Sequence, residues 1–167
     1  MKIVVLDGYA ANPGDLSWDE LKSLGECIIY DRTAPSEVPE RAAGADILLT
    51  NKVVLNADTI ASLPHLKYIG VLATGYNVVD IAAAKERGII VTNIPAYSTE
   101  RVAHTAIMMI LNLSSAMQVQ MKMLACGNHD NFTRNLQIPH VEVNGKTLGV
   151  IGAGHIGRKV IQIAQAL

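Results

Sequence analysis

Along the first 95 or so residues, short continuous apolar runs alternate with stretches whose apolar positions recur at helical spacing. Lys2 to Asp7, Cys27 to Tyr30, Ile47 to Leu49, Tyr68 to Leu72 and Ile89 to Asn93 are rich in β-favouring residues and do not alternate polar with apolar, so each predicts a strand covered on both faces. Between them the pattern predicts helices. One runs from Trp18 to Leu24, capped by Asp15 or Ser17 and ended by Gly25. Another runs from Ser36 through Arg41 to Ala43, closed by Gly44. A third starts at Asn56 or Asp58 and ends near Leu63-Pro64, and a fourth runs from Val79 to Arg87, closed by Gly88. Gly8 to Gly14 predicts a loop with Asn12-Pro13-Gly14 turn chemistry. Regular alternation of strand and helix predicts a parallel, doubly wound sheet, in which ligands bind beyond the carboxyl ends of the strands. The stretches there are Gly8 to Ala10, Asn51-Lys52, Ala73-Thr74-Gly75-Tyr76 and Ile94 to Tyr97.

A different pattern follows. Roughly Thr99 to Ala125 predicts one long helix, capped by Ser98 or Thr99, with Glu100 in its first turn. Val102, Ala103, Ala106, Ile107, Met109, Ile110, Leu113, Met117, Met121 and Leu124 make it apolar nearly all round, which predicts a helix buried between domains. Its methionines are expected as core filling. Cys126 to Pro139 is polar and predicts a surface loop. The apolar run Leu148 to Ile151 then predicts a strand entering Gly152-Ala153-Gly154-His155-Ile156-Gly157, and Ile156, Val160, Ile163 and Leu167 share one face of a following helix.

That strand–turn–helix context gives the glycine spacing its meaning. Gly152 is expected to make the tight turn, Gly154 to let a pyrophosphate approach the backbone, and Gly157 to let helix and strand pack closely. The backbone N–H groups of His155 and Ile156 lie at the helix start, where unpaired donors and the dipole favour phosphate. A dinucleotide is the expected ligand, held by Gly152, Gly154, His155, Ile156 and Gly157.

Composition narrows the partners. Half of the 167 residues are apolar, 17% are charged and the net charge is −1, so nothing points to nucleic acid or an anionic membrane surface. Ile3 to Leu6 is too short for a signal peptide and Asp7 ends it, and the most apolar helical stretch, near Val102 to Leu113, falls short of the ~20 residues of a span. Cys27 and Cys126 have no CxxC context, which predicts two free thiols in a reducing cytoplasm. His65, His129 and His140 lack ligand spacing, so no metal is expected. Asp7, at a strand end, fits a loop cap better than a reactive carboxylate, and Lys52 a solvated charge.

Four blocks together resemble the D-isomer-specific 2-hydroxyacid dehydrogenases: Val71 to Asp80, Gly88 to Pro95, Val102-Ala103 and Gly145 to Gly157. Leu6 to Trp18 and Leu49 to Lys52 resemble the glycerate dehydrogenase (hydroxypyruvate reductase) branch. The resemblance implies an α/β architecture: a flavodoxin-like substrate domain at 1–97, completed by a helix from a distant C-terminus, then from 98 to 167 a linking helix and the start of a Rossmann NAD-binding domain. It implies hydride transfer between NAD, with NADP left open, and a small 2-oxo or 2-hydroxy acid. Thr74 and Gly75 would offer backbone N–H groups to the substrate carboxylate, and Asn51 would face the same cleft; an ordinary strand-to-helix turn and a turn cap are the alternatives. The family's catalytic Arg, acid and His lie downstream of the glycine motif, so no catalytic residue is expected among these 167. His104 and His155 stand where the family often has Glu or Gln and Arg. The chain itself is therefore expected to be either part of such an enzyme or an inactive truncated fragment or binding module. A homo-oligomer is expected through 99–125 and 146–167, the alternative being that these segments are disordered around an intact 1–97 domain.

Overall fold

The computed structural model describes residues 1–135 and 138–167. All five expected strands form, β1 (Lys2–Val5), β2 (Glu26–Ile29), β3 (Ile47–Thr50), β4 (Tyr68–Val71) and β5 (Ile90–Thr92), and they pair in parallel in the order β2-β1-β3-β4-β5. This is the flavodoxin-like doubly wound order, which reverses direction at β1. The chain divides into two compact units, Met1–Pro95 and Ala96–Leu167.

In the first unit, one face of the sheet presents Val4, Leu6, Leu48, Ile69 and Val71 to α3 (Val38–Arg41), α4 (Ala57–Ala61) and α5 (Ile81–Glu86), where Val38, Ala42, Ile60 and Ala84 complete the core. The other face is unevenly covered. The aligned row Ile3, Ile47, Tyr68, Ile90 goes from fully buried at Ile3 to 62% exposed at Ile90. The helix start at Asn56 follows the expected capping, its Oδ1 accepting from Thr59 N–H at 2.9 Å, and α5 starts two residues later than expected, capped by Asp80, whose Oδ1 accepts from Ala83 N–H at 3.0 Å. Ser17 Oγ accepts from Asp19 N–H before α2 (Asp19–Lys22).

Two expectations fail here. Gly8 to Gly14 is not all loop, because α1 (Gly8–Ala11) makes one helical turn directly after β1. The turn after it forms around Asn12, whose Oδ1 accepts from Gly14 and Leu16 N–H and whose Nδ2 donates to the Leu16 carbonyl. Ser36 does not cap α3. It lies within a 3-10 turn, Pro35–Glu37, and Glu37 reaches back to accept from Ala34 N–H at 2.7 Å.

In the second unit the long helix is broken into α6 (Thr99–Ser114) and α7 (Met117–Ala125), inclined by 63°. The physical cause is local. The hydroxyls of Ser114 and Ser115 both donate to the Leu111 carbonyl, competing with the helical ladder, and Ala116 turns left-handed at φ 47°. Among the described residues no single helix is long and apolar enough to cross a membrane. The all-round burial expected of this helix is also absent. Ala103 and Ile107 are buried against Val160 of α9 (His155–Ala164), but Met108, Met109 and Leu113 are exposed, because α9 covers only one stripe of α6. Glu100 of α6 pairs with Lys159 of α9 at 2.8 Å and lies 3.9 Å from His104. The stretch 126–139, expected as a loop, contains a short helix, α8 (Asp130–Thr133), and positions 136–137 lie outside the described residues.

Leu148 to Ile151 is not part of a ladder, contrary to expectation. A strand needs a neighbour for its N–H and C=O groups, and among the described residues none runs beside it; Ile151 is fully exposed.

Candidate functional site

Two constructions stand out, one in each unit. The first is the rim at the carboxyl ends of β1, β3, β4 and β5. Its anchor is Asp7, 4% exposed. Its carboxylate accepts from Asn51 N–H at 2.8 Å, from Lys52 N–H, and from Val53 N–H at 3.3 Å. Asp7 is thus a loop cap joining the ends of β1 and β3. The turn so held carries Asn51, which is buried and donates its Nδ2 to the Leu72 carbonyl at 2.9 Å. Asn51 therefore joins β3 to β4 beneath the 73–76 turn, with its amide engaged by the backbone.

The 73–76 turn is gripped from the other side. Asn93 Nδ2 donates to the Thr74 carbonyl at 2.8 Å, and Thr74 Oγ1 donates to the Ile94 carbonyl at 3.1 Å. The Thr74 hydroxyl and carbonyl are thereby occupied. What the turn has to offer is its backbone donors: the N–H groups of Thr74, Gly75 and Tyr76 meet no acceptor among the described residues, and all three residues are exposed. Successive free N–H groups on a fixed turn form a nest for an anion such as a carboxylate. Asn93 is the residue whose part the sequence did not suggest. It lies in a quoted block, Gly88 to Pro95, but only the fold brings it to Thr74.

The second construction is the glycine turn. Gly152 has φ 98°, a left-handed value open to glycine. A Cβ on Gly157 would lie 1.9 Å from the Gly152 carbonyl oxygen, so the start of α9 packs directly on the turn. Gly154 is different. It precedes α9 at φ −72°, ψ −167°, which any residue adopts, and a Cβ there would meet nothing within 4 Å. Neither packing nor conformation calls for glycine at 154, whereas a phosphate seated on the backbone would. Gly154 accepts the first helical bond from Arg158 N–H, leaving the N–H groups of His155, Ile156 and Gly157 without intrahelical acceptors. These features fit a pyrophosphate at the head of α9. Arg158 and Lys159 lie within the helix, and Lys159 is engaged by Glu100.

Among the described residues no group of His, Cys, Asp or Glu could hold a metal ion. Cys27 and Cys126 are both free. Partial burial pushes the Cys27 thiol up, opposed in part by Lys22.

The family model for the catalytic domain of D-isomer specific 2-hydroxyacid dehydrogenases matches residues 3–144. A hydroxypyruvate reductase of Blautia hydrogenotrophica is 44% identical over 100% of the chain and 53% of its own length. A glycerate dehydrogenase of Methylorubrum extorquens is 38% identical, covering 99% of the chain and 53% of that relative. Among solved structures, the D-lactate dehydrogenase of Aquifex aeolicus complexed with NAD and lactic acid has a TM-score of 0.80 and 27% identity over 99% of the chain and 48% of its own. An acyclic imino acid reductase in complex with NADPH and D-Arg has a TM-score of 0.83 at 25% identity, covering 99% of the chain and 53% of its own. The chain therefore spans about half the length of the curated relatives it matches.

Proposed function

Since this chain belongs to the D-isomer-specific 2-hydroxyacid dehydrogenases, we propose that it forms the substrate-binding domain and the first nucleotide-binding element of a hydroxypyruvate reductase, also termed glycerate dehydrogenase. In this reading residues 1–97 hold a small 2-oxo or 2-hydroxy acid, with the carboxylate on the N–H groups of Thr74 and Gly75. Asn51 holds the Leu72 carbonyl beneath that nest, Asn93 holds its Thr74 carbonyl, and Asp7 anchors the turn that carries Asn51. Residues 98–167 bring the glycine turn, with Gly152 and Gly157 shaping it and Gly154, His155 and Ile156 receiving the pyrophosphate. NAD is the proposed cofactor and supplies the hydride when bound, the protein's part being orientation. NADP is the alternative, and complexes with each nucleotide are known among the structural relatives.

Several finer points belong to the same proposal. The Arg, acid and His that complete the chemistry are assigned outside these 167 residues, so the chain alone is read as a binding unit without reductase turnover. The under-covered sheet face at Tyr68, Ile90 and Thr92 is read as the seat of a further helix of the substrate domain. The exposed apolar positions of α6 and α7, with Leu113 82% exposed, support self-association through 99–125 and 146–167. A cytoplasmic setting accords with two free thiols.

The observation that carries the proposal is Gly154: a glycine with ordinary dihedrals, open space at its Cβ position and helix N–H groups beside it. The test is the Gly154→Ala variant of this chain. With only the phosphate turn present, NADH is expected to bind in the millimolar range, about −4 kcal/mol. Gly154→Ala should weaken that binding about tenfold, or 1.4 kcal/mol, while leaving the thermal transition unchanged. Equal NADH binding by both proteins in calorimetry would overturn the assignment.

A further inference from the structure

Apart from the nest and the glycine turn, the first unit contains a crevice of about 740 Å³ between the carboxyl ends of β2, β1 and β3. Because the strand order reverses at β1, this is the switch point of the sheet, where chains leave to opposite sides and the strand ends open a cleft. Its volume falls within the ~300–1,000 Å³ of small-molecule sites.

Two turns wall the crevice, and both are pinned to the end of β1. In the first, which follows β2, the Thr33 hydroxyl donates to the Leu6 carbonyl and the Arg41 guanidinium donates to the Arg32 carbonyl. In the second, which follows β3, Asp7 holds the N–H groups of residues 51 to 53. Each turn contributes one cationic residue to the lining of the crevice, Arg32 and Lys52. Among the described residues neither makes an ion pair, although Arg41 nearby is paired with Glu37 at 2.7 Å and Lys67 with Asp46 at 2.8 Å. The Arg32 guanidinium lies 5.3 Å from the centroid of the Tyr9 ring, which orients its planar fork. Two carboxylates also line the crevice. Asp7 is turned onto the backbone donors, and Asp31 is exposed. Ala34, Pro35, Val53 and Val54 add apolar wall.

We infer that this crevice binds a small organic anion, a carboxylate or phosphate ester with a short apolar body, between Arg32 and Lys52. A fork on a fixed turn suits bidentate contact with an anionic group, and Lys52 adds a point charge from the facing turn. The site does not rest on the dehydrogenase reading. It is also distinct from the 74–76 nest in position. Strands lie ~4.8 Å apart, so the turn of Arg32 is about three strand spacings, ~14 Å, from the end of β4, while the turn of Lys52 is one spacing away. The anion can therefore be a separate molecule, or the far end of an extended acid held at the nest.

The test uses the 167-residue chain, isotope-labelled, titrated by NMR with inorganic phosphate, with succinate, with D-glycerate and with D-2-hydroxyglutarate. Phosphate or succinate is expected to give saturable amide shifts at 31–35 and 52–54. Arg32→Gln or Lys52→Gln should each weaken that binding about fivefold, and the double variant should abolish it. Trp18 fluorescence checks that these exposed substitutions leave the fold intact. D-2-hydroxyglutarate, a 2-hydroxy acid with a second carboxylate at its far end, distinguishes the two sources. Shifts confined to 74–76 and retained in the double variant mean that the crevice anion is a separate molecule. Shifts reaching 52–54 and lost in the double variant mean that it is the far end of the acid. Absence of any D-glycerate shift at 74–76 would count against the substrate nest alone. The crevice assignment is overturned if neither phosphate nor succinate gives a saturable shift at 31–35 and 52–54 up to about 20 mM, or if such shifts are unchanged in the double variant.

Discussion

Replacing Asp7 by Ala removes the carboxylate that accepts from the amides of three consecutive residues. Two of these, Asn51 and Val53, are buried, and Lys52 is exposed. A buried N–H left without an acceptor costs about 1–3 kcal/mol. The Lys52 amide can turn to water and Val53 N–H keeps Thr50 Oγ1 as an acceptor at 3.1 Å, so the loss rests on the Asn51 amide and comes to about 2 kcal/mol. Against the ~5–15 kcal/mol of a typical domain this is a large fraction. Asp7→Asn keeps one acceptor oxygen but places an NH2 against N–H donors, so it should recover no more than about half of that loss. The assay is urea unfolding followed by Trp18, the chain's single tryptophan, which lies in the first unit and reports on it alone. With a urea slope of about 1–1.5 kcal/mol/M, Asp7→Ala should lower the midpoint by about 1.3–2 M. Lys67→Ala, which removes an exposed ion pair with Asp46, should cost under about 1 kcal/mol and serves as the control. If Asp7→Ala costs no more than that control, the 51–53 turn does not depend on the carboxylate, and Asp7 is not the anchor of the rim.

Other consequences can be checked directly. Gly157→Ala should displace the start of α9, because its Cβ would lie 1.9 Å from the Gly152 carbonyl, whereas Gly149→Ala, with nothing within 4 Å, should be nearly neutral; the near-neutral result at both positions in thermal melts would refute the packing argument. Hydrogen bonds from Lys67 Nζ and Lys2 N–H hold the Asp46 carboxyl down to about 2. A depressed carboxyl contributes stability that is complete above about pH 4 and lost as pH falls toward 2; an NMR titration should find Asp46 titrating near 2 and moving up in Lys67→Ala, and an ordinary carboxylate midpoint in the parent chain would contradict this. Leu113→Asp should raise the monomer fraction in light scattering if the exposed α6–α7 face is a contact between copies, and an unchanged size distribution would remove that contact.

The parallel sheet was legible because its strands are buried on both faces and so appear as continuous apolar runs, with Val4 and Leu6 on one face and Ile3 and Val5 on the other equally withdrawn from water. The cap Asn56 was legible for a local reason, a side-chain oxygen within reach of an amide three residues on, and Asp80 makes the same bond at a helix start the pattern placed at Val79. The misplaced elements are those decided by contacts a pattern does not contain. Apolar residues on all sides of 99–125 predicted one buried helix, but two adjacent serines bonding back to Leu111 end α6, and only one stripe is covered by α9. Leu148 to Ile151 has the composition of a strand, yet a ladder is a property of two segments, and among the described residues the second does not adjoin it.

The site divides along the same line. Glycine spacing marks a phosphate turn because each glycine answers a separate constraint. Here those constraints can be told apart: a left-handed φ at Gly152, a carbonyl at the Cβ position of Gly157, and at Gly154 no constraint from the protein at all. The rim at the strand ends has no such local signature. Asp7, Asn51 and Asn93 are drawn from three strand ends far apart in the chain, and each spends its polar group on backbone rather than on a ligand. A polar residue at the end of a parallel strand therefore signals the neighbourhood of the site without revealing its role there. For Asn51 the fold engages Nδ2 with the Leu72 carbonyl, and in the proposed nest the donors open to a carboxylate are the free N–H groups of Thr74, Gly75 and Tyr76. A backbone nest is indifferent to side-chain identity, so the residues that fix its shape are expected to be more sensitive to substitution than Thr74 itself, whose hydroxyl already faces Ile94.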